Sequence, residues 1–476
     1  MAKLIEKVGY GFGDMSSSMF WKVFSYYLPF FYSNVFGLTL VDAGVLVLVT
    51  RIWDAVSDPM MGVIADRTQT RWGKYRPYLL CVAPLFSVAG ILLFTTPDWD
   101  YGAKLIYAYV TYILMMTVYT GINVPYGAML GVMTDDPQEK TVFSSFRMFF
   151  AYGGSFIALA AWEPLVSFFK GGAANAEGAS TPLAWQHAMM VIAALCFILF
   201  IACFALTRER VKTASTVGVG ADFKALLRNR PWWLLIVAAL CFNLFNTVRG
   251  ATVTYYFADI IGFDKALDFS LFTFHFSLVF YAGLFLSVGE VANMAGVAMT
   301  VALARAMGKK SLFISVNAAL VILSVLFFFI PVTPTGFWLM LLLQVLISIL
   351  TGIMSPLVWS MYADVADYAE LRYHTASTGL IFSSSSMAQK FGGAIGGAAV
   401  LWLLSACGYT PRTDEQMAAQ AIITQPDSAL RCLTYLMSFI PAVVALLAII
   451  VCRFYPLTTE RVSDINRQLR SQRQQQ

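Results

Sequence analysis

The feature that constrains this chain most is a recurring length: about twelve runs of some twenty mostly apolar residues, separated by short polar segments. They cover 9–36, 41–65, 78–96, 104–133, 142–169, 184–206, 232–261, 279–304, 311–330, 336–362, 376–405 and 431–455. A helix of about 20 apolar residues crosses the hydrocarbon core of a bilayer. Helix is also the conformation in which such a run satisfies its own backbone N–H and C=O groups. The expected fold is therefore all-α and polytopic. Charged residues make up 12% of the 476, about half the roughly 25% usual in soluble domains, which excludes the soluble enzyme classes. An apolar share of 59% excludes a disordered chain. A net charge of +5, with basic residues scattered through short loops, argues against nucleic-acid binding.

The basic residues give the direction of threading. With both termini cytoplasmic, 22 of the 32 Lys and Arg fall in cytoplasmic segments, Arg453 at the inner end of the last run included. Five fall outside: Lys104, Lys170, Lys265, Arg412 and Arg431. That is the sense of the positive-inside rule. The opening MAKLIEKVGYGFGDMSSS lacks the apolar core and cleavage site of a signal peptide, so the first run reads as a retained helix. Segment 207–231 splits the runs six and six. The expected organisation is a six-helix bundle over 1–206, a cytoplasmic linker over 207–231, a second bundle over 232–455 and a polar, frayed cytoplasmic tail over 456–476. Two six-helix halves around a midplane site are a transporter layout. Residues 262–280 read either as an outside loop or as the start of the eighth run. The seven Cys show no C-x-x-C or metal spacing and read as apolar helix residues, although Cys407 and Cys432 flank one outside loop.

An ionisable side chain at mid-bilayer costs about 2.5–3.5 kcal/mol on insertion scales, so each requires a reason. Inside the runs stand Asp14, Lys22, Arg51, Asp54, Asp58, Arg147, Glu163, Arg249, Glu290 and Lys390. The densest group is Arg51, Asp54, Ser57 and Asp58 in the second run. Asp54 and Asp58 are i, i+4, on one helix face about 6 Å apart. Two such carboxylates are tolerable when they share a cation or a proton, and Asp and Ser oxygens suit a hard cation such as Na⁺. The competing reading is an Arg51–Asp54 pair within the helix. In the fourth run, Pro125 frees the carbonyl of Gly121, and Thr120 and Asn123 lie on the face near that break. The break serves either packing alone or a lined cavity. Arg147 offers a rigid fork of donors for vicinal hydroxyls or a carboxylate. Lys390 is either a mid-run binding group or a snorkelling one, and the following GGAIGGA admits close approach of another backbone. Arg249 is a further donor beside Gly250; Glu290 either balances it or lines the cavity separately. The loop 62–77, with Asp66-Arg67 and Gly73-Lys74-Tyr75-Arg76, is either a solvated positive loop or a conformational latch.

Four stretches, RIWDAVSDPMMG, ADRTQTRWGKYRPYL, NVPYGAM and SPLVWSMYADVADYAE, together resemble the glycoside–pentoside–hexuronide:cation symporters of the major facilitator superfamily. The resemblance runs from about residue 8 to residue 405. It implies the major-facilitator fold, about 12 transmembrane helices in two six-helix bundles, in a bacterial inner membrane. It also implies sugar uptake by alternating access, driven by Na⁺, H⁺ or Li⁺, with 207–231 as a slack tether. The family's cation-site carboxylates carry over onto Asp54 and Asp58 and its helix-four Thr onto Thr120, with Ser57 and the Asn123 amide as neutral partners. The sugar-site Arg carries over onto Arg147 and the Lys before a Gly-Gly pair onto Lys390, with Asn123, Ser18, Tyr119, Trp359 and Arg249 as further sugar contacts. The loop latch becomes Asp66 and Arg67; a second latch is Asp364 or Asp367 with Arg305 or Arg372.

The chain departs from the melibiose-type branch at two places. Asn123 stands where that branch has Asp, and Ser17-Ser18 where it has Lys-Asp. Both changes remove groups used for galactosides, and Asn123 in NVPYG is similar to the xyloside-, pentoside- and glucuronide-type branch. The implied cargo is a glycoside, pentoside or related sugar. A hexuronide, its carboxylate met by Arg147, Arg249 and Lys390, is the alternative, and a lysophospholipid-type carrier of similar fold is a third. Neither enzyme activity nor a cofactor is implied beyond the coupling Na⁺ or H⁺. The expected partners are the sugar, the cation and the lipid bilayer, with the chain acting as a monomer.

Overall fold

The computed structural model describes residues 4–134, 137–171, 181–210, 227–262, 278–373, 378–411 and 424–475. Among them there is no strand, only one isolated bridge between Thr70 and Gly73. The helices are α1 (Leu4–Phe30), α2 (Leu40–Arg67), α3 (Arg76–Leu93), α4 (Tyr101–Met133), α5 (Pro137–Phe169), α6 (Thr181–Leu206), α7 (Arg230–Tyr256), α8 (Leu278–Met307), α9 (Lys309–Phe328), α10 (Pro334–Tyr373), α11 (Thr378–Ala406), α12 (Asp427–Met437), α13 (Phe439–Arg453) and α14 (Thr459–Gln475). Among the described residues, ten helical stretches, α12 and α13 counting as one, are long and apolar enough to cross a membrane. α1 and α2 are of similar length and fall outside that set; they carry Asp14 and Lys22, and Arg51, Asp54 and Asp58. Most of 263–280 and of the linker, 263–277 and 211–226, lies outside the described residues.

Local chemistry explains several boundaries. Thr39 caps α2 by accepting from the Asp42 amide, and Asp100 caps α4 by accepting from Ala103. α1 and α7 each run into a π turn, Phe31–Val35 after α1 and Phe257–Gly262 after α7. In α1 the turn follows Pro29, which has no N–H to give the helix ladder. Near these turns the hydroxyls of Ser33 and Tyr255 meet at 2.7 Å. The last apolar run is interrupted at Ser438, where the non-helical residue separates α12 from α13.

The chain gathers into two compact units. The first comprises Met1–Ser215, Gly250–Glu290 and Gly397–Leu433, and the second Thr216–Arg249, Val291–Gly396 and Thr434–Gln476. In the first unit α1 packs on α5 and α6, α3 on α4 and α6, and α2 on α4. Its core is aromatic: Phe20, Phe24, Phe31, Phe86, Phe94 and Trp162 are fully or almost fully buried. In the second unit α9 packs on α10 and α13. α11 lies against α7 there, because a Cβ on Gly392 would come 2.9 Å from the Leu240 carbonyl oxygen. This is the close approach expected of GGAIGGA. The tail corrects an expectation. It is helical over Thr459–Gln475 and packs on α10, with Ile465 and Leu469 buried. Its composition is polar, yet these two residues are i, i+4 and share one face.

Candidate functional site

In the first unit, α2 and α4 bring four of the expected cation-site residues together. The Thr120 hydroxyl lies 3.1 Å from Asp54 Oδ1 and 3.0 Å from Asp58 Oδ1. It also lies 3.2 Å from the Ser57 hydroxyl, which in turn donates to the Asp54 carbonyl at 3.1 Å. One hydroxyl carries one hydrogen, so Thr120 cannot donate to all three oxygens at once. The turn therefore offers more acceptor oxygens than the Thr120 hydroxyl alone can serve, and carboxylate and hydroxyl oxygens are the ligands that suit a hard cation. Asp54 is fully buried and Ser57 is 6% exposed, while Asp58 is half-buried at the edge. Asn123, half-buried one turn along α4, hydrogen-bonds none of these groups. Pro125 sits within the unbroken α4 helix.

Around this turn the aromatic rings are ordered. Tyr119, 7% exposed, packs on Trp21 with ring centres 5.4 Å apart. The Arg51 guanidinium lies 4.2 Å over the Trp21 ring, and its buried Nε and one Nη have no hydrogen-bond partner. A cation held on the face of an indole is a stable arrangement, and it carries Arg51 away from the pairing with Asp54 weighed from sequence.

Arg147 of α5 donates from Nε to Asp14 Oδ2 of α1 at 2.9 Å and lies 5.4 Å over the Tyr126 ring. Tyr126 stacks on Tyr10 and donates to its carbonyl at 2.6 Å. Two turns further along α1, Lys22 pairs with Glu290 of α8 at 2.6 Å and reaches the Tyr26 hydroxyl at 3.3 Å. Glu290 therefore balances Lys22, and the pairing with Arg249 considered from sequence is absent. Ser18, between Asp14 and Lys22 on the same face, is half-buried.

In the second unit, Arg249 of α7 is engaged by the protein itself. It donates to the Met437 carbonyl at 2.6 Å and to Gln344 Oε1 at 2.9 Å, so it satisfies the carbonyl exposed where α12 breaks. Lys390 on α11 and Trp359 on α10 are half-buried, and the Trp359 ring packs on Tyr362 at 5.9 Å.

The latch residues are placed unevenly. Asp364 receives Lys309 Nζ at 2.7 Å on each oxygen, a partner the sequence reading did not name; Arg305 and Arg372 are exposed and Asp367 is half-buried. Arg67 is exposed, and the Asp66 side chain lies outside the described residues. The 62–77 loop is instead held by Glu209, just beyond α6. Its carboxylate accepts from the backbone N–H groups of Lys74 and Tyr75 at 2.7 Å and of Arg76 at 2.8 Å, at the start of α3. An anion on the unsatisfied amides of a helix N-terminus is favourable in both hydrogen bonding and dipole. Sequence reading missed Glu209, because in TRERVK it is one of several charges in a polar segment.

The sequence profile of a family described as MFS/sugar transport protein matches residues 9–459. The chain is similar to the inner membrane symporter YicJ of Escherichia coli, 32% identical over 98% of this chain and 94% of that one. It is similar over the same shares, at 34% identity, to the putative glycoside/cation symporter YagG of Escherichia coli. It also resembles the isoprimeverose transporter of Lactiplantibacillus pentosus, 31% identical over 88% of this chain and 83% of that one. Among solved structures it resembles the nucleoside transporter NupG with a TM-score of 0.65 at 14% identity, over 95% of this chain and all of that one.

Proposed function

This chain belongs to the MFS/sugar transport protein family, among the glycoside–pentoside–hexuronide:cation symporters, and from that premise we propose that it imports a glycoside or pentoside in symport with Na⁺ or H⁺. It is a transporter rather than an enzyme, and a multi-pass membrane protein. We place it in a bacterial inner membrane with both termini in the cytoplasm, as the distribution of Lys and Arg argues.

The observation that carries the coupling reading is the Thr120 hydroxyl bridging Asp54 and Asp58 at 3.1 and 3.0 Å. The three side chains and Ser57 would hold the cation. Its chemistry is charge neutralisation: one or two negative charges buried among helices become compatible with closure over the cargo. Closure with the site filled is then easier than closure with it empty, and that difference is a coupling free energy. On this reading, Arg147 and Lys390 present hydroxyl-binding donors, with Tyr119 and Trp359 as ring faces. Two observations favour a neutral sugar over a hexuronide. Arg147 is balanced by Asp14, and both outer nitrogens of Arg249 are used by Met437 and Gln344. The names of the similar proteins support a sugar as cargo and give no support to a lipid.

Replacing Asp58 by Cys tests the assignment in proteoliposomes or cells. Uphill accumulation of the sugar should be lost, while sugar binding and downhill exchange persist at least in part. A variant that still concentrates sugar at the wild-type level would remove the coupling site from this turn.

A further inference from the structure

Glu163 of α5 lies in the apolar interior of the first unit and takes no part in the cluster around Asp54. It is 4% exposed, and no Lys, Arg or His among the described residues forms an ion pair with it. Its two oxygens are used by two different helices. Oε1 accepts from the Tyr27 hydroxyl of α1 at 3.0 Å, and Oε2 from the Gly283 amide of α8 at 3.3 Å. Gly283 is required for this approach. A Cβ there would stand 2.8 Å from the Leu159 carbonyl oxygen and 3.3 Å from Glu163 Oε2. The carboxylate also lines a cavity walled by Tyr27, Phe30, Trp162, Trp185 and Phe257, where the Trp162 indole N–H is buried without a partner.

Several other titratable groups lie on the packed helices. Lys22 and Glu290 hold each other. Tyr255 meets Ser33, and Asp259 accepts from Tyr409 at 2.6 Å. Lys170, at the end of α5, lines the same cavity. A carboxylate in such surroundings, without an ion-pair partner among the described residues, is held as an anion chiefly by its hydrogen bonds, and a proton is the ligand that removes its charge without needing further space.

We propose that Glu163 is a proton-binding site distinct from the Asp54–Asp58 turn, and that its charge state sets how firmly α1, α5 and α8 are joined. Ionised, it receives two charge-assisted hydrogen bonds, each roughly twice as strong as a neutral one. Protonated, it becomes a neutral acceptor with a donor of its own, and the bond to the Gly283 amide weakens first because it is the longer. The junction is thus tight at high pH and loose at low pH.

Trp162 and Trp185 line the same cavity and report on the site, so the test needs no sugar, and the comparison with a Glu163 variant keeps it apart from the symport reading. Intrinsic fluorescence of the purified protein is followed from pH 5 to pH 9. Wild type should show a step that Glu163→Gln lacks; superimposable titrations of the two would overturn the proposal. Tyr27→Phe keeps the ring and removes one donor from the charged form. It should move the midpoint of the step to higher pH by about 1–2 units, the scale of one hydrogen bond to a charged group. An unmoved midpoint in Tyr27→Phe would equally overturn the assignment, whether or not the Gln variant folds.

Discussion

Arg147 and Asp14 hold each other at 2.9 Å, and this pairing decides what a substitution at either can reveal. Arg147→Ala removes a charged donor expected to bind sugar hydroxyls, a loss of about 1.5–3 kcal/mol, or roughly 10–150-fold in affinity. The same substitution strands Asp14, whose side chain is 13% exposed, and breaking a buried pair from one side typically costs about 3–5 kcal/mol. Arg147 is itself 30% exposed along its side chain, which places the cost here at or below the lower end. The two effects separate in a double-mutant cycle. Asp14→Asn combined with Arg147→Ala should recover thermal stability while sugar affinity stays low. Recovery of affinity as well would mean that Arg147 matters only by neutralising Asp14.

At the scale of elements, the polar connections are held by single side chains bridging distant segments. Glu209 takes up three amides where α3 begins, and Gly73 makes room for it. Gly73 has φ of 120°, and a Cβ there would come 2.6 Å from the Glu209 carboxyl carbon. Glu209→Ala should therefore accelerate hydrogen exchange at the Lys74–Arg76 amides by about tenfold or more, the weight of a hydrogen bond to a charged group. Unchanged exchange would show that the turn is held by its own backbone, through the Thr70–Gly73 bridge. Arg249 plays a similar part for the break between α12 and α13. Lys310 does so for the end of α13, donating to the carbonyls of Arg453 and Tyr455 at 3.0 and 2.6 Å. In each case a charged donor or acceptor satisfies backbone groups that a helix end leaves open.

Across the whole molecule, transport by alternating access requires contacts that bias one arrangement over another without touching the cargo. Lys309–Asp364 is such a candidate. Asp364 lies more than two turns before the end of α10 and is bound symmetrically by Lys309. Asp364→Lys should shift the balance of inward- and outward-open forms, read by labelling of single cysteines, while sugar binding in detergent persists. Adding Lys309→Asp should return the balance toward wild type. Loss of sugar binding in Asp364→Lys would place this carboxylate in the binding site and end its role as a latch.

The helices themselves were legible in the amino-acid order. Their length and apolar content answer to the bilayer alone, and periodicity within one helix is fixed by 3.6 residues per turn. The same local geometry made the Asp54–Ser57–Asp58 face readable, because i and i+4 must be neighbours. Thr120, on another helix, is readable from sequence only as a polar residue beside the Pro125 break; its link to the carboxylates comes through resemblance to a known family, and the tertiary structure sets it within 3.1 Å of both. That each buried charge needs compensation also follows from sequence. Which group supplies it does not: Lys22 and Glu290 are 268 residues apart, and Asp14 and Arg147 are 133 apart. From sequence Arg249 is a donor suited to a sugar, yet it sits on a broken helix end; Glu163 is from sequence only an acid inside a span, with nothing local to say what it meets. Partners of this kind depend on which helices pack side by side and at what height. Hydrophobic burial, being non-directional, leaves that choice to the fit of whole surfaces.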